Sequence, residues 1–199
     1  KQNYSEAIKY YELAAKLNNS YALLNLGYFY ANGKGVKQDY SKAIEYYKSS
    51  AKLNNSYALF NLGYHYANGK GVKQDYSQAI EYYKSSAKLN NSYALFCLGN
   101  FYANGEGVKQ DYLLAIKYYE KAAKLDNSGA LYNLGFLYEK GYGVKQDYSK
   151  AIKYYESASQ LNNSNALFSL GIIYAYGKGV KQDYSKAIKY YESASKFNN

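Results

Sequence analysis

One histidine, one cysteine and five regularly spaced aspartates are the residues of this chain best placed to do chemistry. His65 is the sole imidazole and Cys97 the sole thiol. A histidine-based nucleophilic triad, or a zinc site of several His and Cys ligands, needs partners that a single copy of each cannot supply. His65 stands where Phe29 and Phe101 stand one period to either side, so it reads as a packed ring. Cys97 stands where other copies carry Asn or Ser. Asp39, Asp75, Asp111, Asp147 and Asp183 each head a helical stretch and lie far apart along the chain. They read as helix caps, not as a cluster of carboxylates. Each interhelix loop holds Gly-x-Gly-Val, as at Gly33, Gly35 and Val36. A dinucleotide-binding loop follows a strand, and no strand pattern occurs, so these glycines read as turns. The expectation is a non-catalytic protein with no cofactor and no metal site.

The elements that hold these residues repeat. The string VKQDY begins at Val36, Val72, Val108, Val144 and Val180, a constant spacing of 36 residues (72 − 36). A fixed period of this size with helical patterning is the signature of an α-solenoid. In the unit 20–55, Ser20 is placed to cap a first helix, A. Ala22, Leu23, Leu26, Gly27 and Tyr30 share one face of it, and Gly33 is its natural stop. Asp39 caps a second helix, B, with Ala43, Ile44, Tyr47 and Ala51 inward, and Asn54-Asn55 turns to the next unit. The Asn-Asn-Ser strings match a glycosylation acceptor but read as turn chemistry. Fifteen of the 16 glycines fall at the Gly27, Gly33 and Gly35 places. A glycine in mid-helix at Gly27 costs about 1 kcal/mol against Ala, and its recurrence predicts close backbone approach between A and B. The reading is an all-α, right-handed superhelix of about 11 helices forming one domain over 1–199. It has a partial unit 1–19 and full units 20–55, 56–91, 92–127, 128–163 and 164–199.

Composition adds bounds. The formal net charge is +10, every basic residue is Lys, and there is no Pro and no Met. No run approaches the roughly 20 apolar residues of a membrane span. The first residues are not a signal peptide, and a chain starting at Lys1 without Met is expected to be processed or part of a longer one. A single Cys allows no internal disulfide, which is compatible with a reducing compartment; the compartment itself is not legible.

The unit ALxxLGxxYxxGxGVxxDxxxAxxYY resembles the Sel-one-like repeat, a relative of the tetratricopeptide repeat. In the unit 56–91 the matching residues are Ala58, Leu62, Gly63, Tyr66, Gly69, Gly71, Val72, Asp75, Ala79 and Tyr83. The chain departs from the family pattern at Tyr10, Tyr46, Tyr82, Tyr118, Tyr154 and Tyr190, where the family usually has Trp. Only Asn3 with Glu6 could form a full capping box. The resemblance implies an adaptor or scaffold that binds protein partners.

Where the copies differ locates the expected binding surface. The varying A-helix positions are Tyr21, Leu24, Tyr28 and Asn32; Tyr57, Phe60, Tyr64 and Asn68; Tyr93, Phe96, Asn100 and Asn104; Tyr132, Phe136 and Lys140; and Phe168, Ile172 and Tyr176. Steps of 3, 4 and 4 put each set on one stripe, apart from the repeated Leu-Gly-Tyr face. By analogy with tetratricopeptide repeats the stripe lines a concave groove for a protein or an extended peptide. Tyr and Phe supply contact area, and Asn supplies hydrogen bonds to a main chain. Phe60, Phe96 and Phe168 could instead pack between repeats. Selectivity is expected in the last two units, through Gly129, Glu139, Lys140, Tyr142 and Tyr176. The lysines, including Lys34, Lys37, Lys42, Lys48 and Lys52, read as a solvated outer face. Two alternatives stay open. One is an RNA reader that stacks bases on the aromatic stripe, which the absence of Arg disfavours. The other is a self-assembling solenoid joined end to end through uncapped termini.

Overall fold

A computed structural model describes residues 3–197. They form eleven helices: α1 (Tyr4–Lys16), α2 (Ser20–Asn32), α3 (Tyr40–Lys52), α4 (Ser56–Asn68), α5 (Tyr76–Lys88), α6 (Ser92–Asn104), α7 (Tyr112–Ala123), α8 (Ser128–Lys140), α9 (Tyr148–Gln160), α10 (Ser164–Tyr176) and α11 (Tyr184–Lys196). No strand occurs among the described residues. The even-numbered helices are of type A and the odd-numbered of type B, so the chain is a helical repeat solenoid. It divides into two compact units, Lys1–Ala94 and Leu95–Asn199. In the first, α1 to α5 pack each on the next, most closely where A and B belong to one repeat; in the second, α7 to α11 do the same.

Two adjacent asparagines make four of the B-to-A turns, and Asp126-Asn127 makes the one before α8. Asn18, Asn54, Asn90 and Asn162 take the left-handed conformation, with φ of 55–58°; Asn is among the few residues that do so at low cost. The next Asn is the N-cap. Asn19 Oδ1 accepts from the Ala22 amide at 3.0 Å, and Asn163 does the same for Ala166. The cap is therefore Asn19, one residue before the expected Ser20, which lies inside α2. The freed serines leave another task to their main chain: Ser50 Oγ on α3 donates to the Ser20 carbonyl at 2.7 Å.

The VKQDY string is a fastening. Asp39 Oδ1 caps α3 through the Lys42 amide at 2.9 Å, as expected, while the Asp39 amide donates to the Tyr30 carbonyl at 2.9 Å. Gln38 Nε2 donates to the Ala31 carbonyl at 2.8 Å and to Tyr40 Oη at 3.1 Å. One loop thus satisfies the orphan carbonyls at the end of A and the orphan amides at the start of B. At the chain's start Asn3 caps α1, and the reciprocal bond of the expected box runs from its side-chain amide to Glu6 at 2.9 Å, not from its main chain.

The mid-helix glycine meets a ring and not a backbone. A Cβ on Gly27 would lie 2.5 Å from Tyr47 Cε1, and one on Gly63 would lie 2.7 Å from the Tyr83 ring. Tyr47, Tyr83, Tyr119 and Tyr155 are buried. Each ring fills the floor that glycine leaves, so the helix-propensity penalty is offset by aromatic burial. The repeated leucines Leu26, Leu62, Leu98, Leu134 and Leu170 are at most 1% exposed. Burial of this kind is worth about 1.5–3 kcal/mol per side chain. On the other side of each repeat the Tyr that stands for the family's Trp stacks on the A helix, with Tyr46 on Tyr30 at 5.6 Å and Tyr118 on Tyr102 at 5.5 Å.

Candidate interaction surface

The varying A-helix residues divide into those that stand clear and those that pack. In the first unit Tyr21, Tyr28, Asn32, Tyr57, Tyr64, Asn68 and Tyr93 are exposed. Leu24 and Phe60 are half-buried. Leu24 packs on the Ala43–Ile44–Tyr47–Leu62 core. Phe60 lies against Tyr83 at 5.7 Å and Tyr93 at 5.9 Å between ring centroids. In the second unit Asn104, Phe136, Lys140, Phe168 and Tyr176 are exposed, and Phe96, Asn100, Tyr132 and Ile172 are half-buried. Phe168 touches Tyr191 at 5.4 Å yet remains 54% exposed.

Local bonds set what these residues can offer. Asn32 and Asn68 donate their side-chain amides to the Tyr28 and Tyr64 carbonyls one turn back, both at 2.8 Å. Their Oδ1 atoms are the groups free to meet a ligand. Two loop lysines fold onto the stripe instead of lying on the outer face. Lys34 Nζ donates to Tyr28 Oη at 2.8 Å with its charge 5.0 Å above the ring, and Lys70 does the same to Tyr64 at 2.7 Å. Both amines have a raised pKa, first through that hydrogen bond. Lys42 likewise lies across Tyr30, donating to its hydroxyl at 2.7 Å.

In the second unit α6, α7 and α8, with the loop after α8, enclose a cleft of about 370 Å³. Its floor is a chain of hydrogen bonds. Tyr119 Oη donates to Asn100 Oδ1 at 2.7 Å, and Asn133 Nδ2 donates to the same oxygen at 3.0 Å. Its walls are Phe136, Tyr142 and Tyr112; Tyr142 stacks on Tyr112 at 5.2 Å and meets Phe136 edge-on at 6.0 Å. Asn104 lines the mouth and donates to Glu106 at 3.0 Å. Beside the cleft, Glu139 is buried where the other repeats carry Ala. Its two oxygens are met by Lys140 Nζ at 3.0 Å and Tyr155 Oη at 2.9 Å, so its charge is compensated.

The lone histidine is packed into the core. His65 is 3% exposed, with Nδ1 2.7 Å from the Lys70 carbonyl and its ring between Tyr40 and Tyr47. Burial lowers its pKa, so the neutral ring donates that hydrogen bond at neutral pH. Cys97 is half-buried. Among the described residues no group of three or more His, Cys, Asp or Glu could hold a metal ion, and no helix is long and apolar enough to cross a membrane.

Glu139 and Tyr142 are both among the residues through which selectivity is expected. Asn100, expected to hydrogen-bond a peptide main chain, has its oxygen committed to Tyr119 and Asn133. The available signal was a pair of changes against register: Asn100 where Tyr28, Tyr64 and Phe136 carry rings, and Tyr142 where Lys34, Lys70 and Lys178 carry amines.

The model of the Sel1 repeat family matches residues 1–19, 20–55, 56–91, 92–127, 128–163 and 164–196. The fold is similar to a Sel1 repeat protein from Oxalobacter formigenes, with 38% identity and a TM-score of 0.92 over 96% of this chain and 79% of that one. It is also similar to c5321, a protective antigen of uropathogenic Escherichia coli with an SLR fold, at 29% identity and a TM-score of 0.88. That match covers 98% of this chain and 42% of that chain. Cysteine-rich protein B of Helicobacter pylori matches at 30% identity and a TM-score of 0.52 over 67% of this chain and 96% of that one. No curated protein matches the chain significantly.

Proposed function

The chain belongs to the Sel1 repeat family, and from that premise we propose that it is a non-catalytic scaffold that holds a protein or extended peptide on the A-helix stripe. Proteins of this family are in general protein-interaction scaffolds. One observation carries the finer reading: positions that vary between copies are where large aromatics stand in solvent. Tyr21 is 64% exposed, Tyr57 49%, Tyr93 55%, Phe168 54% and Tyr176 72%, whereas the invariant Leu26, Leu62, Leu98, Leu134 and Leu170 are buried. Exposed aromatics on rigid helices give contact area at low entropic cost. Neighbouring Oδ1 atoms of Asn32 and Asn68 supply acceptors for main-chain amides.

The test uses short random peptides displayed on phage and selected on the intact chain, followed by affinity measurement on variants. Tyr21→Ala and Tyr176→Ala remove rings that are 64% and 72% exposed. Each should weaken binding about tenfold or more, as truncating an interface aromatic does, with an unchanged melting curve. Selected peptides that bind both variants as tightly as the parent would remove the stripe from the interface.

A further inference from the structure

We infer that the Asn100–Tyr142 cleft is a side-chain pocket for a primary carboxamide, the end of a Gln or Asn residue of the bound segment. The inference rests on the peptide-holding reading above and names what one part of that surface selects.

The repeat shows how the pocket is made. In other copies the Asn100 place carries Tyr28, Tyr64, Phe136 or Ile172, and in the first unit those Tyr rings are capped by Lys34 and Lys70. At Asn100 the ring is missing. The loop amine is missing as well, because register puts Glu106 and Tyr142 where those lysines stand. The volume left is about 370 Å³, at the small end of ligand sites.

The polar groups of the lining choose the occupant. Asn100 Oδ1 already accepts two hydrogen bonds, so Asn100 offers its Nδ2 as a donor. Asn133 spends an N–H on Asn100 and offers Oδ1 as an acceptor. Asn104 spends an N–H on Glu106 and also offers Oδ1. One donor and two acceptors are the complement of a –CONH₂ group, which presents one acceptor and two donors in a plane. A main-chain amide presents a single N–H and leaves one acceptor unmet. The flanking rings of Phe136 and Tyr142 give that plane faces to pack against. A carboxylate would face the two Asn oxygens and Glu106 without donors of its own. An ammonium or guanidinium carries no acceptor and would leave the Asn100 N–H unmet. An apolar side chain would strip water from three amides and replace no hydrogen bond.

The experiment uses random peptides selected on phage against the intact chain. Two variants restore what other repeats carry, Asn100→Tyr and Tyr142→Lys, and thermal melting checks that each is folded. Selection on the parent should enrich Gln or Asn at one fixed position. In a synthetic copy of the winning peptide, Gln→Glu or Gln→Met at that position should weaken binding about tenfold or more, the scale of losing a matched buried polar contact. Both protein variants should lose the same factor and no longer distinguish the three peptides. If Asn100→Tyr fails to fold, Tyr142→Lys decides alone. Winning peptides without a carboxamide, or ones that bind parent and variants equally, overturn the pocket and leave the stripe reading standing. Failure to select any peptide overturns both.

Discussion

His65 shows how one residue can be chemically capable and structurally employed. Its ring is enclosed by tyrosines and its Nδ1 hydrogen bond closes the loop at Lys70. Burial lowers its pKa below the ordinary 6.5. A depressed folded-state pKa means the folded protein binds fewer protons than the unfolded chain. The stability this adds is present above the unfolded value and is lost as pH falls through the folded one. The melting temperature of the parent should therefore drop as the pH falls below about 6.5. His65→Phe, the residue found at Phe29 and Phe101, should flatten that window. A drop of equal size in the variant would show that other groups cause it. The same scale explains the aspartates: Asp39, Asp75, Asp111, Asp147 and Asp183 each spend a carboxylate oxygen on capping a B helix.

At the scale of the element, the repeated strings are fastenings between A and B. Asp75 caps α5 through the Gln78 amide at 2.9 Å. Asp75→Ala should cost about 1 kcal/mol, the usual worth of such a cap, read as a shift in the urea midpoint. Gly63→Ala is a harsher change, although Ala favours a helix. The added Cβ would lie 2.7 Å from the Tyr83 ring, which is itself 2% exposed and has little room to retreat. Overpacking of this kind costs about 1–3 kcal/mol, so the variant should melt below the parent. A stabilised Gly63→Ala protein would mean that the ring moves freely. The sequence made the glycine conspicuous but pointed to backbone against backbone, because the ring that fills the space comes from a position 20 residues away (83 − 63).

At the scale of the whole molecule, identical residues acquire different roles from what covers them. Ile44, Ile80, Ile116 and Ile152 are at most 7% exposed, while Ile188 on α11 is 55% exposed. Ile152→Lys should unfold its surroundings, since a buried unpaired charge costs several kcal/mol. Ile188→Lys should leave the melting temperature within the range of ordinary surface changes, about 0.5 kcal/mol. Equal effects would contradict the burial pattern. The charge of +10 is likewise arranged by the fold. Lys42, Lys150 and Lys186 lie across Tyr30, Tyr138 and Tyr174, so part of the basic surface is engaged with rings.

The sequence by itself determined the repeat, the helices and their stops. Those depend on contacts a few residues apart: an Asp or Asn oxygen reaching an amide three residues on, a glycine turning left, leucines falling on one helical face. It also marked the aromatic stripe, because variation against a fixed register is visible in one dimension. Only the tertiary structure decided which stripe residues are free and which are spent. Glu139 meeting Tyr155, and Asn100 meeting both Tyr119 and Asn133, join separate elements. The cleft between Asn100 and Tyr142 belongs to the same class. It is the volume left where a missing ring and a missing amine fall next to one another, and such a vacancy exists only once the helices are packed.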